Sequence, residues 1–209
     1  MEPLQQRFVE CAVKRFLAYG VRSVTMDQIA QDAGASKRTV YELFADKEEL
    51  VKACIQYFEE SRSSESAAII AESENVLVAL FKIANHHLQV FQYINPLFFQ
   101  DIERFYPTLW KDCIYRNSIE KQKEIKKFLE IGIEQGFIRP DIHLAIAARV
   151  LLEHTNLALA PDIIRHSEDN RRIIFENLII NYVRGISTDA GLKLLQELNQ
   201  QSFLKPLNN

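Results

Sequence analysis

TMDQIAQDAGASKRTVYELFADKEEL, residues 25–50, sets three helix starts and one glycine turn into a single short stretch. Thr25 followed by Gln28 is a capping box, in which the hydroxyl accepts from an early helix N–H and the amide reaches back to the cap. Ile29, Ala30 and Ala33 fall on one inward face. Gly34 supplies the left-handed residue that ends a helix, and Ala35 completes a turn of helix-turn-helix length. Ser36 caps the next helix, whose inward positions are Val40, Leu43 and Phe44. Asp46 and Glu49 form a further capping box, so that a third helix begins at Lys47. The spacing predicts helices over 26–33 and 37–44, and a longer one from 47.

The charges in this stretch point to chemistry. A helix N-terminus carries about half a positive charge, so Lys37 and Arg38 there oppose it, at a cost of about 0.3–1 kcal/mol each. A helix with a purely architectural role would place Asp or Glu in that turn. A phosphate at this end makes the dipole and both cations favourable together. The alternative is a solvated turn that is merely basic. The glycine turn and the caps on either side favour docking against the phosphate-lined groove of duplex DNA.

The rest of the composition is that of an ordinary globular chain: 209 residues, 47% hydrophobic, 25% charged, net charge −3. With no bulk attraction to a polyanion, any nucleic-acid contact has to come from a local patch. Residues 1–50 hold Arg7, Lys14, Arg15, Arg22, Lys37, Arg38 and Lys47 against Glu2, Glu10, Asp27, Asp32, Glu42, Asp46, Glu48 and Glu49, a net of −1. Affinity per head should therefore be weak, two heads should be needed, and the salt dependence should be shallow. Cys11, Cys54 and Cys113 are odd in number and far apart, which indicates neither a disulfide framework nor a zinc site. No metal or cofactor is expected, and free thiols fit a reducing cytoplasm. The opening MEPLQQRFVEC lacks the apolar core of a signal peptide. No apolar run approaches ~18 residues, so a cytoplasmic protein without a membrane span is expected.

Glycine and proline, six each, fall almost entirely at plausible helix ends. Gly20 and Gly34 close helices, Pro96 and Pro107 open them, and Gly136 with Pro140, Pro161 and Gly185 mark further breaks. No segment alternates apolar and polar residues as a half-buried strand would. An all-α fold is predicted, with helices near 3–19, 26–33, 37–44, 47–62, 75–93, 96–105, 108–135, 141–159, 168–186 and 188–200; the polar stretch 61–66 is expected to end or loosen the fourth. Leu4, Phe8, Cys11, Ala12, Phe16 and Tyr19 form one stripe on the first helix. Phe175, Leu178, Ile179, Tyr182 and Ile186 do the same near the C-terminus, where Ile173, Ile174 and Ile180 make the flank apolar as well. The run 144–159 is equally broad. Such faces fit either a central hairpin inside one monomer or, as preferred here, two hairpins paired into a four-helix bundle between subunits.

With these residues assembled, the segment resembles the DNA-binding part of the TetR family of transcriptional regulators. The shared pattern is a threonine-capped helix with IA, then AG, a serine-capped recognition helix ending in Y-x-x-F, and K-x-x-L opening the next helix. It covers about the first 50 residues. The remainder shares the all-helical plan and local touches such as EQGFIRPDI. The resemblance implies a three-helix helix-turn-helix domain at 1–50 and a larger helical effector-binding and dimerisation domain at 51–209. It implies phosphate contacts from Thr25, Ser36, Tyr41 and Lys47, with Lys37, Arg38 and Thr39 facing the major groove, Arg38 toward a guanine edge and Thr39 toward a thymine methyl. Tyr41 has packing between helices as its alternative, and Lys47 a solvated side chain.

The resemblance further implies a repressor that binds palindromic operator DNA as a homodimer, with a small and largely apolar effector acting through the helix that begins at Asp46. The aromatic-rich middle of the chain suits an apolar pocket. Candidate ligand contacts are His86, Phe91, Phe98, Phe99, Trp110, Tyr115 and His154, with core packing as the alternative for each aromatic. Glu153, His154, Thr155 and Asn156 interrupt an otherwise apolar helix, and buried polar groups require partners. An enzyme is not indicated: GxGxxG, P-loop, HExxH and GxSxG motifs are all missing, and His86, His87, His143, His154 and His166 lack metal spacing. The competing function is a helical dimer that binds a small molecule or a partner and whose head does not read DNA.

Overall fold

The computed structural model describes residues 2–92, 94–158, 173–174 and 176–200, with side-chain placement for all of these but 88, 91, 92, 112–118, 158 and 200. The fold is all-α; among the described residues the only strand-like pairing is an isolated antiparallel bridge between Ile138 and Ser187. The helices are α1 (Pro3–Tyr19), α2 (Met26–Asp32), α3 (Lys37–Leu43), α4 (Lys47–Ala71), α5 (Val76–Gln92), α6 (Leu97–Phe105), α7 (Pro107–Glu134) and α8 (Leu144–Ala158). A π-helical segment, Glu176–Ile180, runs into α9 (Asn181–Ile186), and α10 spans Asp189–Gln200. The chain forms two compact units: Met1–Glu65 with Gln92–Ile114, and Ser66–Phe91 with Tyr115–Asn209.

In the first unit, α1 buries Phe8, Val9, Ala12 and Phe16. Leu4 and Tyr19, expected on the same stripe, are exposed. They sit in the outermost turns of α1, and Val9 takes a core position instead. Val21, Val24, Met26, Ile29, Ala30, Ala33, Val40, Phe44, Leu50, Val51 and Cys54 are buried around the helix-turn-helix as well. Burial pushes the Cys54 thiol far above its ordinary range, and its sulfur faces the Val9 carbonyl at 3.8 Å, so it behaves as a small core residue. α6 belongs to this unit and is anchored on the end of α1. Asn95 donates its backbone N–H to the Leu17 carbonyl at 2.7 Å and its side-chain amide to that of Ala18 at 3.1 Å. Asp101 accepts from the Arg22 N–H at 2.7 Å. Gly20, at φ +80°, makes this possible, since a Cβ there would meet Asp101 Oδ2 and Leu97 Cβ at 2.9 Å each.

α4 departs from expectation. It continues through the polar run 61–66 to Ala71. The serines and charges of that run find helical partners: Ser61 donates to Glu65 at 2.9 Å, and Arg62 pairs with Glu59 at 3.1 Å. Side chains spaced three and four apart on a helix support it, and the alanines that follow are strong helix formers.

In the second unit the core is formed by Val76, Leu77, Phe81, Leu129, Ile138, Ala147, Ala148, Leu151, Ile179, Ile180, Val183, Ile186, Leu195 and Leu198. Asn75 caps α5 by accepting from the N–H groups of Leu77 and Val78. His143 Nδ1 accepts from the Ile146 N–H at 3.4 Å, which accounts for α8 starting at Leu144 rather than 141. The helix expected over 168–186 has its first residues, and Phe175, outside the described set. The described part passes through the π-helical turn before Asn181, a widening that periodicity alone does not signal.

α10 is seated on the turn after α7. Gly136, at φ +77°, ends α7. Thr188 donates its hydroxyl to the Gly136 carbonyl at 2.7 Å and its backbone N–H to that of Phe137 at 3.0 Å, while Arg139 N–H bonds to the Ile186 carbonyl. Gly191 sits so close that a Cβ would lie 2.3 Å from the Phe137 carbonyl oxygen and 3.1 Å from Ser187 Cβ. Gly191→Ala should therefore cost about 1–3 kcal/mol by forcing α10 off this turn. A urea midpoint equal to wild type would show that the approach is not tight.

Candidate nucleic-acid interface

The head is positioned by caps. Thr25 Oγ1 accepts from the Gln28 N–H at 3.3 Å and the Gln28 amide oxygen accepts from the Thr25 N–H at 2.8 Å, so the capping box is complete. Gly34 stands at φ +63°, in the left-handed region its place in the turn demands, and a Cβ there would also strike Arg7 Nη2 at 2.7 Å. Ser36 Oγ accepts from the Thr39 N–H at 3.2 Å and lies 2.9 Å from Thr39 Oγ1. At the third helix start the pattern shifts by one residue. Asp46 Oδ1 accepts from the Glu49 N–H at 2.9 Å, whereas the Glu49 carboxylate reaches past the cap to the Ala45 N–H at 2.7 Å. Arg15 and Asp32 clamp α1 to α2 through a two-point ion pair, which holds the Asp32 carboxyl below its ordinary range.

This frame presents one end of α3 to solvent. Ser36, Lys37 and Arg38 are exposed, Thr39 is half-buried, and Tyr41 is 46% exposed. Arg38 is the most open of the charged groups, its side chain 88% accessible, and its Nε donates to Glu42 Oε1 at 2.8 Å. Lys37 Nζ meets the Asp27 carboxylate of α2 at 2.9 Å, which raises its pKa, and lies 5.9 Å from the centre of the Tyr41 ring. Tyr41 is thus a surface residue with its ring beside an ammonium.

Lys47 is turned inward. Its ammonium donates to the Val24 carbonyl and sits 5.9 Å from the Phe16 ring centre, and partial burial lowers its pKa. The two acids that engage the α3 cations were not among the sequence candidates. The Arg38–Glu42 spacing of four is readable from the chain itself, but Lys37–Asp27 arises only from the packing of α2 against α3.

The candidate ligand contacts divide between the units. Phe98 is buried in the first, edge-on to Phe58 at 6.4 Å and to Phe99 at 5.0 Å, so it packs a core; Trp110 in the same unit is half-buried. His86 and His154 belong to the second, and the side chains of Phe91 and Tyr115 lie outside the described residues. Of the four polar residues that interrupt α8, Glu153 is exposed and paired with Arg149 at 2.6 Å, Thr155 donates to the Leu151 carbonyl at 2.9 Å, and Asn156 is exposed. His154 alone of these keeps a buried ring nitrogen, Nδ1, with no hydrogen-bond partner among the described residues. Its ring meets Tyr182 edge-on at 5.1 Å.

A glycine-turn pair of short helices, braced by a third and exposing hydroxyls and cations at the tip of the second, defines a helix-turn-helix regulator of transcription. A family model described as bacterial regulatory proteins, tetR family, matches residues 9–54. The chain is 32% identical over 102 residues to an uncharacterized HTH-type transcriptional regulator, TtgW of Pseudomonas putida, covering 47% of this chain and 75% of that one. It is 27% identical over 155 residues to the HTH-type transcriptional repressor KstR2 of Mycobacterium tuberculosis, covering 70% of this chain and 75% of the relative. The KstR2 structure superposes over 90% of this chain and 97% of its own with a TM-score of 0.55 at 21% identity. A regulator from Cytophaga hutchinsonii gives 0.71 at 17% identity, over 88% of this chain and 95% of its own. The chain belongs to the TetR family of transcriptional regulators, and the family's members are regulators rather than enzymes. Among the described residues no helix is long and apolar enough to cross a membrane.

Proposed function

We infer that this protein is a ligand-responsive repressor that binds palindromic operator DNA as a homodimer and is released by a small, largely apolar effector. The observation that carries the reading is the α3 tip, where an 88% accessible Arg38 stands beside Lys37 and Ser36 on a helix held by caps at both sides. In this reading Lys37, Arg38 and Thr39 enter the major groove while Thr25, Ser36 and Tyr41 bind phosphate. Lys47 reaches a phosphate only by leaving the Val24 carbonyl, and otherwise adds to the local field. Residues 1–50 form the reader, and residues 51–209 bind effector and pair the subunits.

Pairing is supported by α8, where Ile146 and Leu157, 60% and 43% exposed, lie three turns apart on one face. The effector reading is supported by the buried Nδ1 of His154, which has no hydrogen-bond partner among the described residues, since such a nitrogen favours a polar partner. The similarity to KstR2, a ketosteroid transcriptional regulator, favours an apolar ligand class. Selection of duplexes from a randomised pool, followed by footprinting, should protect two half-sites about one helical turn apart, near ~34–36 Å. Adding apolar ligands to that complex should then lower affinity by about 5–150-fold for an effector with a coupling of ~1–3 kcal/mol. A head with net charge −1 and both α3 cations already ion-paired favours the second reading, a helical dimer that binds ligand without reading DNA. Failure of the selection to enrich any sequence would favour that one.

A further inference from the structure

Both cations at the start of α3 carry an acidic partner supplied by the head itself. Lys37 and Asp27 have side chains 63% and 58% accessible, Arg38 and Glu42 88% and 57%. Exposed ion pairs of this kind contribute little to folding. For Glu42, in the last turn of α3, stability is thus a poor reason for a carboxylate on the surface that would meet a polyanion. Asp27 also sits in the first turn of α2, where a carboxylate suits the helix dipole. The geometry of the second pair is selective: Glu42 engages Arg38 through Nε, which leaves the terminal Nη edge for a two-point contact of the sort that guanine O6 and N7 accept.

We propose that Glu42 and Asp27 are specificity-determining residues: Glu42 positions Arg38 for a guanine edge, and both carboxylates penalise duplexes that offer phosphates without matching bases. The proposal rests on the operator-binding reading above. On a matching sequence Arg38 keeps Nε on Glu42 and spends its outer edge on the base. On a non-matching duplex the outer edge finds only phosphate, and that contact sets the Glu42 carboxylate, still on Nε, beside the backbone. Non-specific affinity comes almost wholly from phosphates neutralised, so internal acids subtract more from it than from base-directed binding. Glu42 and Asp27 are positioning residues in this scheme, acting through Arg38 and Lys37.

The test uses the full chain, the duplex most enriched by wild type from a randomised pool, and a scrambled duplex of the same length, each titrated across a salt series. Glu42→Gln keeps an acceptor for Arg38 Nε and removes the charge. Glu42→Ala removes both, and Asp27→Asn removes the charge facing Lys37. Glu42→Gln should tighten scrambled-duplex binding roughly tenfold per head near ~0.1 M salt and steepen the slope of log K against log salt by ~0.9 per head. The enriched duplex should gain less, so the specificity ratio falls. Asp27→Asn should act in the same direction, and Glu42→Ala should further lose preference at the guanine position. Thermal midpoints should stay at the wild-type value for the Glu42 variants and fall slightly for Asp27→Asn, which also loses the first-turn carboxylate of α2. Wild type binding the enriched duplex while Glu42→Gln matches it in slope and ratio would overturn this proposal alone. Wild type binding no duplex would remove the operator-binding reading and this proposal together.

Discussion

Arg38→Ala is expected to weaken binding to the operator by about 5–150-fold per head, the ~1–3 kcal/mol that a two-point arginine–guanine contact contributes. The loss should concentrate on duplexes carrying the matching base. A variant at one base pair that weakens wild type should leave Arg38→Ala nearly indifferent. Thermal stability should hold, because the side chain is 88% accessible and, among the described residues, bonds only to Glu42. The substitution also leaves Glu42 without its cation near the DNA, so part of the loss is repulsion rather than a missing contact. Arg38→Ala combined with Glu42→Ala should recover some affinity, and the cycle of four proteins separates the two contributions. Equal weakening on every duplex would assign Arg38 to phosphate and remove base reading from it.

Phe16→Ala is expected to have the largest effect on the fold, costing about 3–5 kcal/mol, as large-to-small changes of buried aromatics do. Phe16 is fully buried in α1, its carbonyl accepts the Gly20 N–H at 2.9 Å, and its ring lies beneath the inward-turned Lys47. The cavity would open where α1 ends and where the Lys47 ammonium meets the Val24 carbonyl just before Thr25. Since whole domains are stable by only ~5–15 kcal/mol, the helix-turn-helix should melt well below the wild-type temperature and duplex binding should be lost at temperatures the parent tolerates. Circular dichroism melts alongside a binding titration measure both. A melting curve unchanged from wild type would contradict the placement of this ring.

Helix starts were legible because capping is local chemistry. Thr25 with Gln28, Ser36, and Asp46 with Glu49 each satisfy an early backbone N–H within a few residues, and the structure forms all three. Gly34 and Gly136 were legible for a similar reason, since both take the positive φ that glycine tolerates. The end of α4 was misread because serine and charged residues signal a break only when they lack partners. Ser61, Glu65, Arg62 and Glu59 supply one another at helical spacing instead. Of the polar quartet in α8, pattern alone singled out four residues, and only the neighbouring turns and helices show that three of them are satisfied or exposed.

Residues close in the chain therefore settled the all-α class, the glycine turn, the caps and the basic tip of α3, because hydrogen bonds and backbone dihedrals there depend on neighbours a few positions away. What only the tertiary structure decided is which way long side chains and helix ends turn. Lys47 folds onto Val24 rather than into solvent, Lys37 meets Asp27 across two helices, and Asn95 and Asp101 fasten α6 to the end of α1. Those outcomes depend on groups ten to eighty positions apart being brought within hydrogen-bond range, and packing sets that distance.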